Sequence, residues 1–451
     1  MDPLSPPQYR RLSRQGQVPM SGSDLPPYYP RHTHQPSPRR EPTEHVFSLS
    51  DGRGAPWLSL KLRSSAKSSK SLPTFFEKED INGQLELTAE RGDSIQAITA
   101  TLSGRIISGA GSNDTFVFLH QTIPIWSKSL DTPRVPSPSE GASSTKLLGH
   151  CVWPLSIPIP RTVELPNGAG EKRSYRLPET FLERYCKVSV QYDLSIVVSR
   201  GKLRSDNVIC TAFGYVPSTR PEAPSVLRQL VYQEKLPLPG PFADPEGWKI
   251  LRPVSARGLM FKTRPVEARC TLSLTKPVCY TRGSVLPVHI TIEGREPGVL
   301  DVLSNPGSIM VKLRRRVRFF NAATATRKEV SWNESVEDVA TAVWWAAPPH
   351  EACRSDAHTR HLEGEIPLPK DLRPSCEIAH FSISYSVVLS PFKAANYSSD
   401  SATMVSEPVE IATMYAKGPR PNTYAPPAYD AGRGDDLTRP TLVPGMSLYP
   451  F

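Results

Sequence analysis

The chain contains at residues 188–198 the sequence VSVQYDLSIVV, in which apolar residues alternate with polar ones as far as Ser195. Successive side chains of a β-strand point to opposite faces, so this period of two predicts a strand with one buried face. Similar stretches lie at 57–62, 83–88, 95–102 and 116–119, and again at 268–274, 285–292, 309–320, 381–389 and 403–414. No long stretch has the period of a helix. The sequence therefore predicts an all-β fold.

Composition divides the chain into two strand-rich regions and three proline-rich ones. Residues 1–44 and 416–451 are rich in Pro, Arg and other polar or small residues and poor in aliphatic ones, which predicts disordered termini. Residues 217–264 contain the sequence PLPGP at 237–241 and predict a linker, with one short amphipathic turn near 226–232. The proline-studded stretch 153–160 predicts an edge strand. We expect two immunoglobulin-like β-sandwich domains, at residues 45–216 and 265–415.

Two landmarks recur along the sequence and predict an internal repeat. Arg91-Gly92-Asp93 precedes one predicted strand and Arg282-Gly283-Ser284 precedes another, 191 residues later. Leu177-Pro178 is followed by the strand of Tyr192, and Leu368-Pro369 is followed by the strand of Tyr385, 193 residues later. Landmarks at similar separations predict two copies of one domain.

Several classes of protein are disfavoured by the composition. Seven cysteines, odd in number and never spaced as CxxC, are typical of reduced thiols in the cytosol. No apolar run approaches the ~20 residues of a membrane span, and the sequence MDPLSPPQYRR does not look like a secretory signal. The net charge of +10 is spread along the chain and accompanies no nucleic-acid-binding motif. We expect a cytoplasmic protein that does not bind nucleic acid.

No pattern in the sequence predicts catalysis or a cofactor. There is no Gly-rich phosphate loop, no Ser/His/Asp or Cys/His signature and no recognisable pair of carboxylates. His350, Cys353, His358 and His361 lie within 12 residues, as metal ligands can, but their flanks are typical of a polar loop. We therefore expect no metal site and no enzymatic activity.

Three copies of Pro-Pro-x-Tyr lie in the predicted tails. Proline fixes φ near the polyproline II value, so a Pro-Pro pair is already extended before a partner binds. WW domains bind such segments in aromatic-lined grooves, and the tyrosine supplies a ring and a hydroxyl for a neighbouring pocket. The predicted WW-domain-binding residues are Pro6, Pro7 and Tyr9, then Pro26, Pro27 and Tyr29, and finally Pro426, Pro427 and Tyr429.

Two further features allow a functional or a purely structural interpretation. Ser13 follows Arg10-Arg11-Leu12 and forms a candidate phosphosite beside the first docking motif. In the predicted strand 309–320, period two places Lys312, Arg314, Arg316 and Arg318 on one face and leaves Arg315 on the apolar face. The four cations are a candidate surface for acidic cargo tails or anionic lipid. The alternative is a solvated face paired with acids on adjacent strands.

The order of these motifs resembles arrestin-like proteins of the α-arrestin (arrestin-related trafficking adaptor) family, in particular fungal members. The resemblance spans about residues 45–415 and rests on RGD at 91–93, YRLP at 175–178 before YCKVSVQYDL at 185–194, and GEIPLP at 364–369 before ISYSV at 383–387. It implies two tandem arrestin-like β-sandwich domains. It also implies a non-enzymatic adaptor that joins a WW-domain HECT-type ubiquitin ligase to cytosolic tails of membrane transporters or receptors, for ubiquitination and endocytosis. Such an adaptor is cytoplasmic and is recruited to the plasma membrane or endosomes.

Two other functions compete with the ligase adaptor. One is a trafficking scaffold of the same fold that binds coat or sorting machinery without a ligase. The other is an enzyme built on a β-sandwich, such as a carbohydrate-active domain. The three Pro-Pro-x-Tyr motifs favour the ligase adaptor over the scaffold, and the missing catalytic pattern disfavours the enzyme.

Overall fold

The computed structural model describes residues 41–89, 95–109, 114–128, 147, 149–166, 171–201, 204–320, 332–347, 357–399 and 403–426. The chain is all-β, with several sheets whose arrangement is consistent with β-sandwich layers. The sheets divide along the sequence, because each one is built entirely from strands before residue 217 or entirely from strands after residue 247. We refer to these parts as the first half and the second half.

The first half contains twelve described strands. They are β1 (Thr43–Ser50), β2 (Pro56–Ser64), β3 (Thr74–Phe76), β4 (Ile81–Ala89), β5 (Ile95–Ile107), β6 (Thr115–Ser127), β7 (Gly149–Ile157), β8 (Thr162–Pro166), β9 (Lys172–Arg176), β10 (Phe181–Leu182), β11 (Ser189–Arg200) and β12 (Asn207–Val216). One sheet has the order β1-β2-β4-β7, and the other has the order β3-β12-β11-β5-β6, with β10 beside β11. Strands β8 and β9 form a separate hairpin.

The second half follows helix α1 (Val226–Glu234). It comprises β13 (Trp248–Ile250), β14 (Val254–Met260), β15 (Arg264–Thr275), β16 (Cys279–Thr281), β17 (Val285–Gly294), α2 (Pro297–Leu303), a 3₁₀ helix (Pro306–Ser308), β18 (Val311–Phe320), β19 (Trp332–Thr341), β20 (Val343–Ala346), β21 (Thr359–Pro367), β22 (Cys376–Ile378), β23 (Phe381–Leu389), β24 (Tyr397–Ser399) and β25 (Val405–Ala412). Its sheets have the orders β20-β21-β17-β15-β14-β24, with β13 beside β15, and β16-β25-β23-β18-β19, with β22 beside β23.

The two halves repeat one strand order. The order β3-β12-β11-β5-β6 corresponds to β16-β25-β23-β18-β19, and in each case the first pair of strands is parallel. The order β1-β2-β4-β7 corresponds to β14-β15-β17-β21. The short strands β10 and β22 also correspond, because each pairs with the central strand of its sheet. This is the relation that an internal repeat predicts.

Only the tyrosines of the second landmark follow this correspondence, because Leu177-Pro178 follows β9 of the separate hairpin whereas Leu368-Pro369 follows β21, the counterpart of β7. Tyr192 on β11 donates its hydroxyl to the carbonyl of Pro178 at 2.7 Å, and Tyr385 on β23 donates to the carbonyl of Arg373 at 2.6 Å. The two tyrosines are therefore equivalent in position and in bonding. The pairing of Arg91 with Arg282 is wrong, because Ile95 begins β5 whereas Val285 begins β17, whose counterpart is β4.

The alternating patterns produce the buried core. In β5 the buried and more exposed residues alternate from Ile98 to Ile107, and β11 buries Val190, Tyr192 and Leu194. Buried apolar residues of both halves form one continuous cluster, which includes Phe181 of β10 and Phe381 of β23 with ring centroids 5.3 Å apart. Strand β7 pairs only with β4 among the described strands, which confirms the predicted edge strand.

The proline-rich regions differ from their sequence predictions in three places. Thr43 and Glu44, predicted as the end of a disordered tail, begin β1. The predicted linker 217–264 contains α1 at the position of the predicted turn, and also β13 and β14, which pair with β15. Residues 416–426, predicted as the start of the C-terminal tail, are described and packed against the fold. In the predicted linker, buried Tyr232 and Trp248 outweigh the proline-rich composition, and Tyr424 of the C-terminal stretch packs against the same cluster.

Candidate functional site

The predicted motifs fall mostly outside the described residues. This holds for the first two Pro-Pro-x-Tyr motifs, for Ser13, and for Pro427 and Tyr429 of the third motif. Pro426 is described and half-buried. His350 and Cys353 also lie outside, and no group of three or more His, Cys, Asp or Glu that could hold a metal is found among the residues within the described ranges.

The four cations of β18 lie on one face, as their period predicts, and we call Lys312, Arg314, Arg316 and Arg318 the basic face. Residues on the opposite face, from Val311 to Phe319, are buried. Strand β18 is flanked on one side by β23, which places Ser386, Ser384 and Ser382 opposite the three arginines. On the other side, β19 supplies carboxylates. The basic face is therefore bordered by the hydroxyls of β23 on one side and by the carboxylates of β19 on the other.

The basic face is neutralised unevenly along β18. Lys312 Nζ lies 3.0 Å from Asp338 Oδ2, and Arg314 Nε donates to Asp338 Oδ1 at 2.8 Å. The hydrogen bond from Arg314, together with that from Lys312, lowers the pKa of Asp338 below its ordinary value although burial opposes this. Arg316 and Arg318 share one carboxylate, Glu334, at 3.7 and 3.6 Å. Among the described residues, each pair of cations thus shares one carboxylate, and the pairing is longer and the cations are more exposed at the Arg316–Arg318 end.

A cleft of about 790 Å³ adjoins this more weakly neutralised end. Arg318 and Trp332 line one side of it, and the Arg318 guanidinium lies 4.6 Å from the centroid of the Trp332 ring. Ser382 and Ser384 of β23 also line the cleft, and Tyr175 of the β8–β9 hairpin lines it from the first half. The cleft therefore lies between the halves and offers guanidinium, hydroxyl and aromatic groups, together with the carboxylates of Glu377 and Glu410.

A second cluster of charges joins the two halves, and we call it the junction network. Glu179 and Glu183 of the first half meet Arg282, Arg315 and Arg373 of the second. Arg315 donates from Nη1 and Nη2 to the two oxygens of Glu183, at 2.8 and 2.6 Å, and its Nη2 lies 2.8 Å from Glu337. Arg282 and Arg373 each donate to Glu179, at 2.8 and 2.9 Å.

Arg315 is the best-buried cation of the junction network, with its side chain only 10% exposed. Burial acts to lower the pKa of its guanidinium, but the hydrogen bonds to Glu183 more than offset this, so the pKa lies above its ordinary value. No motif in the sequence predicts the junction network. The available signal was the position of Arg315 on the apolar face of its strand, since a buried charge requires a partner.

The thiols whose pKa is shifted are held protonated. Burial raises the pKa of Cys186 to about 11 and that of Cys270, Cys279 and Cys376 to about 12. A thiol nucleophile reacts as the thiolate, so these four side chains are poor nucleophiles near neutral pH. The helices within the described ranges are too short and too polar to cross a membrane.

The C-terminal segment, residues 415–426, lies along the connection between the halves. Just before it, Thr413 and Thr219 exchange backbone and side-chain hydrogen bonds at 3.0 Å. Asn422 Nδ2 then donates to the carbonyl of Tyr232 in α1 at 3.1 Å, and the backbone N–H of Tyr424 donates to Glu365 Oε2 at 3.0 Å. The Tyr424 ring packs against a small apolar cluster formed by Val231, Tyr232, Leu238 and Trp248.

No protein-family model matches the sequence, and a search of curated proteins finds no significant match.

Proposed function

We propose that this protein is a non-enzymatic adaptor that recruits a WW-domain HECT-type ubiquitin ligase to plasma-membrane cargo, so that the cargo is ubiquitinated and endocytosed. The observation that carries the proposal is the presence of three Pro-Pro-x-Tyr motifs in the sequence on either side of the described strands. Two precede β1, which begins at Thr43, and the third begins 14 residues after the end of β25 at Ala412. All three motifs are thus covalently joined to the same folded body, two on its N-terminal side and one on its C-terminal side.

The fold proposed for this body is a pair of arrestin-like β-sandwich domains, at about 45–216 and 265–415. The repeated strand order of the two halves supports a tandem pair, and the equivalent hydroxyl bonds of Tyr192 and Tyr385 support descent from one unit. Raised thiol pKa values support a role that does not depend on these thiols as nucleophiles. The adaptor would be cytoplasmic and recruited to the plasma membrane or endosomes.

The cargo side of the adaptor is the basic face. Its most weakly paired cations are Arg316 and Arg318, and Arg318 lines the cleft of about 790 Å³. We propose that acidic cytosolic tails of transporters or receptors bind there, and that the same charges allow peripheral contact with anionic membrane. The adaptor then raises the concentration of ligase near the lysines of the cargo.

A pull-down with isolated WW domains tests the ligase side. Changing Tyr9, Tyr29 and Tyr429 together to Ala removes the ring from each motif and leaves the polyproline segments. One motif binding one WW domain contributes roughly 5–7 kcal/mol, a Kd on the order of 10–100 μM, so single changes should weaken association modestly because the other motifs retain the partner. The triple variant should lose both ligase association and the adaptor's own ubiquitination. Tyr28→Ala is the matched control, since Tyr28 occupies the variable position of the second motif.

The opposite result in the triple variant would refute the ligase adaptor. If the triple variant still captures the WW domains and is still ubiquitinated, the motifs are spacers and the ligase adaptor is wrong. A trafficking scaffold that binds coat or sorting machinery would then be the better hypothesis.

A further inference from the structure

The third Pro-Pro-x-Tyr motif is preceded by a segment that packs on the folded body. The first residue of the motif, Pro426, is described and half-buried, and the chain that leads to it is fastened at several points. Gly418, at φ +108°, lies against the side chain of Gln229 in α1, where even an added Cβ would lie 3.1 Å from Gln229 Oε1. The Arg420 guanidinium lies 4.6 Å from the centroid of the Tyr415 ring. The segment therefore follows the surface closely up to the motif.

Tyr424 is the last strong attachment before the motif. Its backbone N–H is held by the carboxylate of Glu365, a residue only 2% exposed, and its ring packs on the Trp248 cluster. Burial raises the pKa of the Tyr424 hydroxyl, which agrees with a ring that is partly withdrawn from water. A fixed hydrogen-bond donor stabilises a buried carboxylate. The contact between the Tyr424 N–H and Glu365 therefore favours the state in which the segment is packed on the folded body.

The distance from Tyr424 to the motif is too short for both contacts to be made at once. Two residues of extended chain span about 7 Å, whereas a groove that binds polyproline encloses the Pro-Pro pair and its flanks between aromatic walls. Because Pro426 is itself half-covered, a WW domain cannot surround it while Tyr424 remains packed on the body. The partner must first lift the end of the segment.

We propose that the third motif is an autoinhibited docking site, in which Tyr424 and Asn422 hold the chain against α1 and β21, so that WW-domain binding requires release of residues 422–426. The proposal rests on the proposed function, because it assumes that this motif binds WW domains. Its consequence is a weaker apparent affinity at the third motif than the same residues have as a free peptide. The apparent Kd is the intrinsic Kd divided by the fraction of chains in which the segment is released.

The test measures binding of an isolated WW domain from a HECT-type ligase to the full chain carrying Tyr9→Ala and Tyr29→Ala, so that only the third motif remains. A synthetic peptide of residues 421–433 supplies the intrinsic affinity. We expect the peptide to bind about three- to tenfold more tightly than the chain, and we expect the added change Tyr424→Ala to abolish that difference. Tyr424→Phe, which keeps the ring, should leave the difference in affinity between peptide and chain unchanged.

A second variant and a second readout complete the experiment. Asn422→Ala removes only the hydrogen bond to Tyr232 and should give a smaller gain in affinity than Tyr424→Ala. Hydrogen exchange should show a protected Tyr424 amide in the unliganded chain and faster exchange there once the WW domain is added. Equal affinities of peptide and chain, or a Tyr424 amide that exchanges at the unprotected rate, would overturn the autoinhibition while leaving the adaptor function intact. A peptide that does not bind at all would overturn the assignment of this motif and, with it, the proposal.

Discussion

Replacing Glu183 with Gln should weaken the contact between the two halves more than any change at an exposed ion pair. Glu183 receives two hydrogen bonds from Arg315, at 2.8 and 2.6 Å, and the Arg315 side chain is 10% exposed. Gln has nearly the same shape, but it keeps one oxygen and presents an NH₂ group where the second oxygen was. A donor then faces the guanidinium donors, and little water can compensate.

The expected cost follows from the number of bonds and the partners that remain. One hydrogen bond to a charged group contributes about 1.5–3 kcal/mol, and removing one partner of a buried ion pair costs about 3–5 kcal/mol. Arg315 keeps Glu337 at 2.8 Å, although that side chain is 52% exposed and partly screened. We therefore expect Glu183→Gln to lower the free energy of unfolding by about 2–3 kcal/mol.

Urea unfolding of a double-mutant cycle measures this coupling. The cycle compares Glu183→Gln, Arg315→Met and the double variant, and the double variant should cost clearly less than the sum of the single ones. The matched control is Glu377→Gln, since Glu377 pairs with Arg173 across the same halves at 3.1 Å with side chains 63% and 57% exposed. That change should cost about 0–1 kcal/mol. If Glu183→Gln costs no more than the control, the junction network does not stabilise the contact between the halves.

Two further predictions concern binding and pH. Changing all four residues of the basic face to Ser should weaken binding to acidic peptides or acidic liposomes and flatten the salt dependence of that binding. The control Arg257→Ser, at an exposed ion pair with Glu267 on other strands, should change neither. Unchanged binding in the four-residue variant would show that the basic face is only a solvated surface. Burial and the neighbouring His361 lower the pKa of His289 from its ordinary 6.5 to about 3. Below pH 6.5 the unfolded chain therefore binds a proton that the folded chain excludes, so stability is full above pH 6.5 and falls by up to about 1.4 kcal/mol per pH unit toward pH 3. His289→Gln should reduce this slope in urea midpoints measured from pH 6.5 to 4, and an unaltered slope would contradict the assignment.

The alternating strands were predictable because one face of each is buried. Strand β19 was not predictable, because five consecutive residues from Glu334 to Asp338 are exposed and the sequence has no apolar face there. It is held as a strand by its pairing with β18, where its acids meet the cations of that strand. An edge strand stabilised by cross-strand charge has no periodicity of its own, so pattern alone does not reveal it.

The contacts between residues distant in the sequence could not be predicted, for a different reason. Arg315 and Glu183 are 132 residues apart, and Arg373 and Glu179 are 194 residues apart. Nothing local specifies which acid meets which arginine, because the pairing is set by how the halves pack. The attachment of Tyr424 to Glu365 is of the same kind, since a proline-rich stretch with one aromatic residue does not show that a buried carboxylate will receive its backbone N–H.

Strand β18 uses its arginines in two separate ways, and the pleat keeps those uses apart. Arg315 points inward and forms ion pairs with Glu183 and Glu337, so its charge is not available to bind another molecule. Arg316 and Arg318 point outward, are about half exposed, and share the single carboxylate of Glu334. A change at Arg315 should therefore appear first in stability, and changes at Arg316 and Arg318 should appear first in binding. Because neighbouring residues of one strand carry both roles, the two effects can be compared in the same fold, and a binding defect at the outward arginines without a stability defect would be attributable to lost surface charge.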